Sequence, residues 1–179
     1  FDVDAAMTVK TQGMLGLSDL SAICAEPRPD HPETWISERI IASYLALHRA
    51  GHAHSLECWE AGPDGAPVLV GGLYGVSFDR VFCGESMFSR RDNASKVALA
   101  WLVALLRHAG FSLLDCQFMT EHLRSMGARE LPQREYRRLV DAAANSGTLA
   151  SLADAVRDGL VNLALVAGPG RRGVVPDAG

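Results

Sequence analysis

No C-x-x-C pair occurs in this chain; its four cysteines, Cys24, Cys58, Cys83 and Cys116, are scattered through 179 residues. That spacing argues against structural zinc and reads as buried, reduced thiols in a cytosolic protein. No apolar run approaches the roughly 20 residues of a bilayer-spanning helix, so a membrane is not an expected partner. The first residue is Phe1 and no basic-then-apolar leader follows it, which predicts an internal piece with an upstream part absent. The pattern G-x-x-x-x-G-K-S/T is missing, which leaves a nucleoside-triphosphate P-loop unsupported. Excess charge is small: 17 basic against 21 acidic residues leave −4. A general nucleic-acid coat is disfavoured, while a local basic patch stays open. There is no internal repeat, and 17 glycines with 8 prolines are too few for general disorder.

What is present is a chain 48% hydrophobic and 21% charged, enough to bury a core in one domain or one domain with an appendage. Residues 1–34 are weakly patterned, and "AEPRPDHPE" (25–33), with three prolines, reads as an exposed loop. The expected core spans 35–145. It opens with a helix capped by Ser37 and ended by Gly51, with Ile40, Ile41, Tyr44, Leu45 and His48 on one face. Strands follow over 52–60, "PVLVGGLYGVSF" and "RVFCGESM", with a turn at "GPDG" and a joint at Asp79-Arg80. A long helix from Asn93 to about Ala109 carries Val97, Trp101, Leu102 and Leu105 as its apolar stripe and stops at Gly110. "FSLLDCQF" (111–118) reads as a buried strand, followed by a short helix in "TEHLRSMG" and a longer one after Pro132. Residues 146–179 would add one more helix, "TLASLADAVRDGL", and a flexible tail. An antiparallel meander followed by helix and strand predicts a mixed α/β fold.

Four groups of residues carry potential chemistry. The segment Ser89–Lys96 joins a strand to a helix, so free N–H groups and the helix dipole face any anion there. Arg90, Arg91 and Lys96 add charge suited to phosphate, although a solvated basic turn would leave the same sequence. Glu85 could pair with a cationic ligand group or with Arg90 or Arg91. Asp115 and Gln117, two apart in an expected strand, should share a face opposite Leu114, Cys116 and Phe118. A buried carboxylate needs hydrogen bonds, so this pair is either a wet strand face or a carboxylate orienting an amide. His52 and His54 also share an expected strand face, but two ligands are too few for a metal and a capping or core role is expected.

Together these residues resemble the leucyl/phenylalanyl-tRNA–protein transferase family. The matching motifs are "TWI" (34–36), "YLALHRAGHAHSLECW" (44–59), "VGGLYGV" (70–76), "FCGESMFSRRDNASKVAL" (82–99), "LLDCQ" (113–117) and "HLRSMGARELPQREY" (122–136). The resemblance implies a GNAT-type acyltransferase fold, with a central, mostly antiparallel sheet flanked by helices. It implies an aminoacyl-tRNA donor where relatives use acyl-CoA, and transfer of Leu, Phe or Met to acceptor proteins beginning with Arg or Lys, marking them for degradation in the cytoplasm. By the same resemblance Asp115 and Gln117 are the catalytic pair and Glu85 binds the acceptor's basic residue. The donor side-chain pocket would use Trp35, Tyr44, Leu73, Phe82, Met87, Leu99, Leu102 and Leu114, and the tRNA would meet Arg90, Arg91, Asn93, Ser95 and Lys96. No cofactor and no metal are implied. The family's tryptophan-rich N-terminal domain has no counterpart in this chain. Two alternatives stay open: an acyl-CoA-dependent N-acyltransferase of the same fold, and an inactive fragment that only binds basic N-termini.

Overall fold

A computed structural model of the chain describes residues 7–11, 16–26, 36–145 and 152. Two elements that the pattern did not anticipate come first, strand β1 (Thr8–Thr11) and helix α1 (Gly16–Cys24). Helix α2 (Glu38–Arg49) begins as expected, with the Ser37 hydroxyl accepting the Ile40 N–H at 3.4 Å. It ends at Gly51, whose φ of +83° suits a residue without a side chain. Strands β2 (Ala53–Ala61), β3 (Pro67–Phe78) and β4 (Val81–Ser89) form the expected meander, and Asp79 at φ +47° turns the second hairpin.

Helix α3 (Ala94–His108) carries the chain back to strand β5 (Leu113–Asp115), and helices α4 (Glu121–Ser125) and α5 (Gln133–Ala144) follow. Pro132 stands immediately before α5, where its missing N–H costs nothing. The expected strand over 111–118 is corrected: only three residues pair, because the chain turns at Asp115 and Gln117 adopts φ +61°. The expected helix "TLASLADAVRDGL" lies outside the described residues except for Leu152, which is helical and buried. No helix among the described residues is long and apolar enough to cross a membrane.

The five strands lie in the order β1-β2-β3-β4-β5. All neighbours are antiparallel except β4 and β5, which run parallel through Val81↔Leu113, Phe82↔Leu114 and Cys83↔Asp115. Helices cover both faces. On one side α3 lays Val97, Leu102 and Leu105 against Leu56, Leu73 and Phe82. On the other, Leu17, Leu20 and Cys24 of α1, with the half-buried face of α2, pack against Ala53, Trp59, Tyr74 and Phe88. Each fully buried leucine in these layers stabilises the fold by about 1.5–3 kcal/mol. The one fully buried carboxylate among the described residues, Glu57, accepts the Trp59 indole N–H at 3.0 Å.

Gly71 sets how closely α3 approaches the sheet. A Cβ there would lie 2.6 Å from the Ala94 Cβ, so a side chain at this position would push the helix N-terminus off β3. That N-terminus forms one end of the cleft described next.

Candidate functional site

Strand β4 is irregular where the chemistry-bearing residues lie. Tyr74 pairs with Ser86 and the next residue, Gly75, with Gly84, so Glu85 is an extra residue on β4, a β-bulge. The bulge reverses the alternation: Phe82 packs on the α3 side, yet so does Met87, while Phe88 packs on the α1 side. Gly75 makes this possible, since a Cβ there would meet the Cys83 carbonyl at 2.2 Å and the Phe82 ring at 2.4 Å. Glu85 itself is half-buried and takes a hydrogen bond from the Tyr44 hydroxyl. Burial first, and then that bond, raise the Tyr44 pKa well above the ordinary tyrosine value. The Tyr44 ring in turn meets Tyr74 edge-on at 5.2 Å.

Beyond Cys83 the parallel strands part. β5 ends at Asp115 while β4 runs on to Ser89, and a cleft of about 560 Å³ opens between them. Leu73, Met87, Leu99, Leu102 and Leu114 line it, five of the residues expected for a donor pocket. The other three are placed differently. Phe82 is fully buried within the core, and Tyr44 lines a neighbouring groove of about 410 Å³ with Val76, Cys83 and Glu85. Trp35 lies outside the described residues. Glu85 borders both the cleft and the groove.

Asp115 and Gln117 are brought together, but not as neighbours on one strand face. Asp115 uses Oδ1 to accept the Gln117 backbone N–H at 2.8 Å, a local turn that ends the strand and places Gln117 in the left-handed region. Its Oδ2 accepts the Tyr136 hydroxyl at 2.8 Å. The hydrogen bond to Asp115 is the main reason the Tyr136 pKa is pushed up to about 12. The Gln117 side chain crosses the gap between the strands, its Nε2 donating to the Gly84 carbonyl at 3.4 Å. Asp115, Gln117 and Tyr136 line a second cleft of about 540 Å³ that adjoins the first along Leu114, Cys116 and Phe118.

Within the basic segment, Arg90 holds Glu26 at 2.9 Å and lies over the Phe88 ring, and Arg91 stands 3.6 Å from Glu60. Neither arginine pairs with Glu85. Lys96, half-buried, takes part in none of the ion pairs found among the described residues. Asn93 has φ +65° and does not cap α3; Ser89 does so from the end of β4, accepting the Ser95 N–H at 3.3 Å. Ser89, Arg90 and Ser95 all border the large cleft.

His54 fills the expected core role. It is buried with Nε2 2.9 Å from the Ser77 hydroxyl, and burial, aided by His48 and His52, lowers its pKa to about 4. Burial also pushes the thiols up, Cys83 to about 11 and Cys58 to about 12, with Cys116 raised as well. The cysteines beside the cleft are therefore poor nucleophiles at neutral pH. Sequence reasoning did not single out Tyr136, His122 or Thr120. Tyr136 is 21 residues from the carboxylate it binds, and nothing local to "LPQREY" announces that contact.

A family model described as leucyl/phenylalanyl-tRNA protein transferase matches residues 16–141. Among curated proteins, the leucyl/phenylalanyl-tRNA–protein transferase of Novosphingobium aromaticivorans is 62% identical over 143 residues, covering 76% of this chain and 52% of the relative. The protein of the same name from Rhizorhabdus wittichii is 57% identical over 125 residues, 70% of this chain and 48% of the relative. That from Zymomonas mobilis is 55% identical over 124 residues, 69% and 44% respectively. The chain thus spans about half the length of the curated relatives it matches.

Proposed function

Because the chain belongs to the leucyl/phenylalanyl-tRNA protein transferase family, we propose that it moves leucine, phenylalanine or methionine from an aminoacyl-tRNA to the N-terminal Arg or Lys of an acceptor protein. Transfer would mark the acceptor for degradation and take place in the cytoplasm. The fold would be of the GNAT type, a reading supported by the parting of two parallel strands around a cleft. The observation that carries the proposal is the meeting of an apolar cleft, a bulged carboxylate and a braced amide around Gly84.

Each substrate part has a matching surface. An apolar donor side chain suits the cleft of Leu73, Met87, Leu99, Leu102 and Leu114. The acceptor's guanidinium or ammonium would meet Glu85, which Tyr44 already holds in place. The donor's phosphates suit Lys96, Asn93, Ser95 and the start of α3; Arg90 and Arg91 would exchange Glu26 and Glu60 for phosphate. In the reaction the acceptor α-amine attacks the ester carbonyl, forming the C–N bond. The C–O bond to the terminal ribose breaks, and the amine's proton leaves with that oxygen. Only a neutral amine can attack, and a group of pKa about 8 has a usable neutral fraction near pH 7. Gln117 donates through Nε2 to Gly84, which leaves its carbonyl oxygen to accept from the amine. Asp115 fixes the turn that holds Gln117, and no covalent enzyme intermediate is needed. Proximity supplies much of the rate.

The test is transfer of labelled leucine from leucyl-tRNA to a peptide beginning with Arg, run against an acyl-CoA as a competing donor. Gln117→Ala should lower kcat far more than either KM, the mark of an interaction made in the transition state. Use of acyl-CoA alone, or normal turnover in a folded Gln117→Ala chain, would overturn the assignment.

A further inference from the structure

The second cleft borders the reacting groups, yet no part of either substrate has been matched to it. Asp115, Gln117 and Tyr136 line it, and so does Gln133 at the start of α5. Gln133 also lines an open groove of about 370 Å³ on α5, which makes the two depressions neighbours. That groove is basic. Arg134, Arg137 and Arg138 line it with Asp141, at the i, i+3, i+4, i+7 spacing of one helix face. All three arginines are exposed, and none takes part in an ion pair found among the described residues. Arg134 thus has like charges three and four residues on, an arrangement that weakens a helix and that a bound anion offsets. In a chain of net charge −4, three cations against one carboxylate on a single face are a local departure.

Two polymers could reach this groove from the reaction centre, and the second cleft distinguishes them. Two carboxylates, Asp115 and Glu130, line that cleft against one cation, Arg129. A tRNA strand carries a negative charge at every nucleotide and would have to pass both carboxylates. A polypeptide backbone is neutral. It can run over Leu113, Met119 and Leu131 and bring a carboxylate only to the arginines beyond. The donor's phosphates, moreover, already have the start of α3 on the first cleft. With its basic side chain at Glu85 and its amine at Gln117, an acceptor still needs a path for the rest of its chain. The cleft that Gln117 itself lines supplies one.

We propose that the second cleft and the arginine face of α5 hold the acceptor's chain beyond its first residue, favouring acceptors with acidic residues a few positions in. This rests on the transferase reading of the site and names a substrate preference for it. The test uses the 179-residue chain and fluorescent peptides that begin with Arg and are otherwise neutral. A pair of glutamates is walked along the peptide, with glutamines at the same positions as the control. Binding is read by anisotropy, and transfer by labelled leucine from leucyl-tRNA. At the favoured position the glutamate peptide should bind about three- to tenfold more tightly, the size of two exposed ion pairs. Its KM should fall by the same factor while kcat holds, and the difference should fade at high salt. Replacing Arg134, Arg137 and Arg138 by Ala should erase the preference and leave the glutamine peptide unaffected. Replacing them by Glu should favour lysines at the same position, a gain that unfolding cannot mimic. A wild-type chain indifferent to the glutamates, or an effect equal at every position, would overturn the proposal while leaving the transferase reading intact. So would alanine variants that keep the preference, or that lose affinity for leucyl-tRNA instead, which would put the donor on α5. A position-dependent preference in binding, without transfer to any peptide, would count against the transferase reading and leave the acceptor track standing.

Discussion

Tyr136→Phe removes one oxygen atom and asks whether the Asp115 carboxylate has to be held. The lost bond is short, 2.8 Å from the hydroxyl to Oδ2, and its acceptor is charged. Such bonds contribute about 1.5–3 kcal/mol net. Asp115 is half-buried, so water can replace part of the loss and the lower end applies. If that energy now holds Asp115 and its Gln117 turn in register, about 1.4 kcal/mol of it lost in the transition state lowers kcat about tenfold. KM for both substrates should hardly move, and melting should fall by only about 2–4 °C per kcal/mol in a chain of this size. A second readout ignores catalysis. The Tyr136 pKa is pushed up to about 12, chiefly by its bond to Asp115, so Asp115→Asn should make one tyrosine ionise at lower pH. Near-ultraviolet tyrosinate absorbance after a fast alkaline jump would report it. A folded Tyr136→Phe chain with wild-type kcat would refute the reasoning, and so would a tyrosine titration unchanged by Asp115→Asn.

Glu85→Gln should cut kcat/KM for Arg- and Lys-initiated peptides by about 10- to 100-fold, the range for a lost charged hydrogen bond, while binding of a charged-tRNA mimic holds; equal loss of both would make Glu85 structural. Replacing Arg90, Arg91 and Lys96 by Ala should flatten the dependence of log tRNA affinity on log salt by about 2, at roughly 0.7 per single-strand phosphate contact. A slope untouched by the triple variant would move the tRNA footprint elsewhere. His54 makes a prediction about acid. Its pKa falls from 6.5 in the unfolded chain to about 4 in the folded one, so the unfolded chain binds the extra proton between those values. Stability from this group is complete above pH 6.5 and is lost as pH falls through 4, roughly 3 kcal/mol in all. Urea titrations should show a steeper acid loss in the wild type than in His54→Gln, and parallel curves would count against the buried neutral ring.

Where the chain repeats a period, the fold was legible. The stripe Val97, Leu102 and Leu105 and the Ser37 cap placed two helices within a residue or two. Helix α1 left a fainter sign, since Leu17, Leu20 and Cys24 do follow helical spacing, but they lie in a weakly apolar stretch before the proline-rich loop. Strand β5 was over-read for a physical reason. Apolar residues continue through Cys116 and Phe118, while pairing stops where the Asp115 side chain captures the Gln117 N–H. Phe82 was assigned to the pocket because motif membership says nothing of depth. It precedes the bulge and is sealed in the core, whereas Met87 follows it and reaches the cleft. For the carboxylates and the amide, local spacing leaves each with a bland alternative, and only the resemblance assigns them roles.

Two departures from regular sheet structure account for the site, and they meet at one residue. A fully paired sheet has its backbone satisfied and its faces covered, which leaves no opening for two substrates. Here β5 stops after Asp115, so from Gly84 onward β4 has no strand on that side among the described residues, and the gap becomes the cleft. One residue later the bulge inserts Glu85 and reverses the alternation, so this carboxylate borders both the cleft and the groove beside α2. On the proposed reading the donor side chain enters the cleft and the acceptor side chain enters the groove. An acceptor held at Glu85 is then one residue along β4 from Gly84, whose carbonyl takes the Gln117 amide. Moving the bulge by one residue would turn Glu85 away from the groove, and extending β5 past Asp115 would close the cleft, so on the proposed reading both irregularities are required for the two substrates to meet.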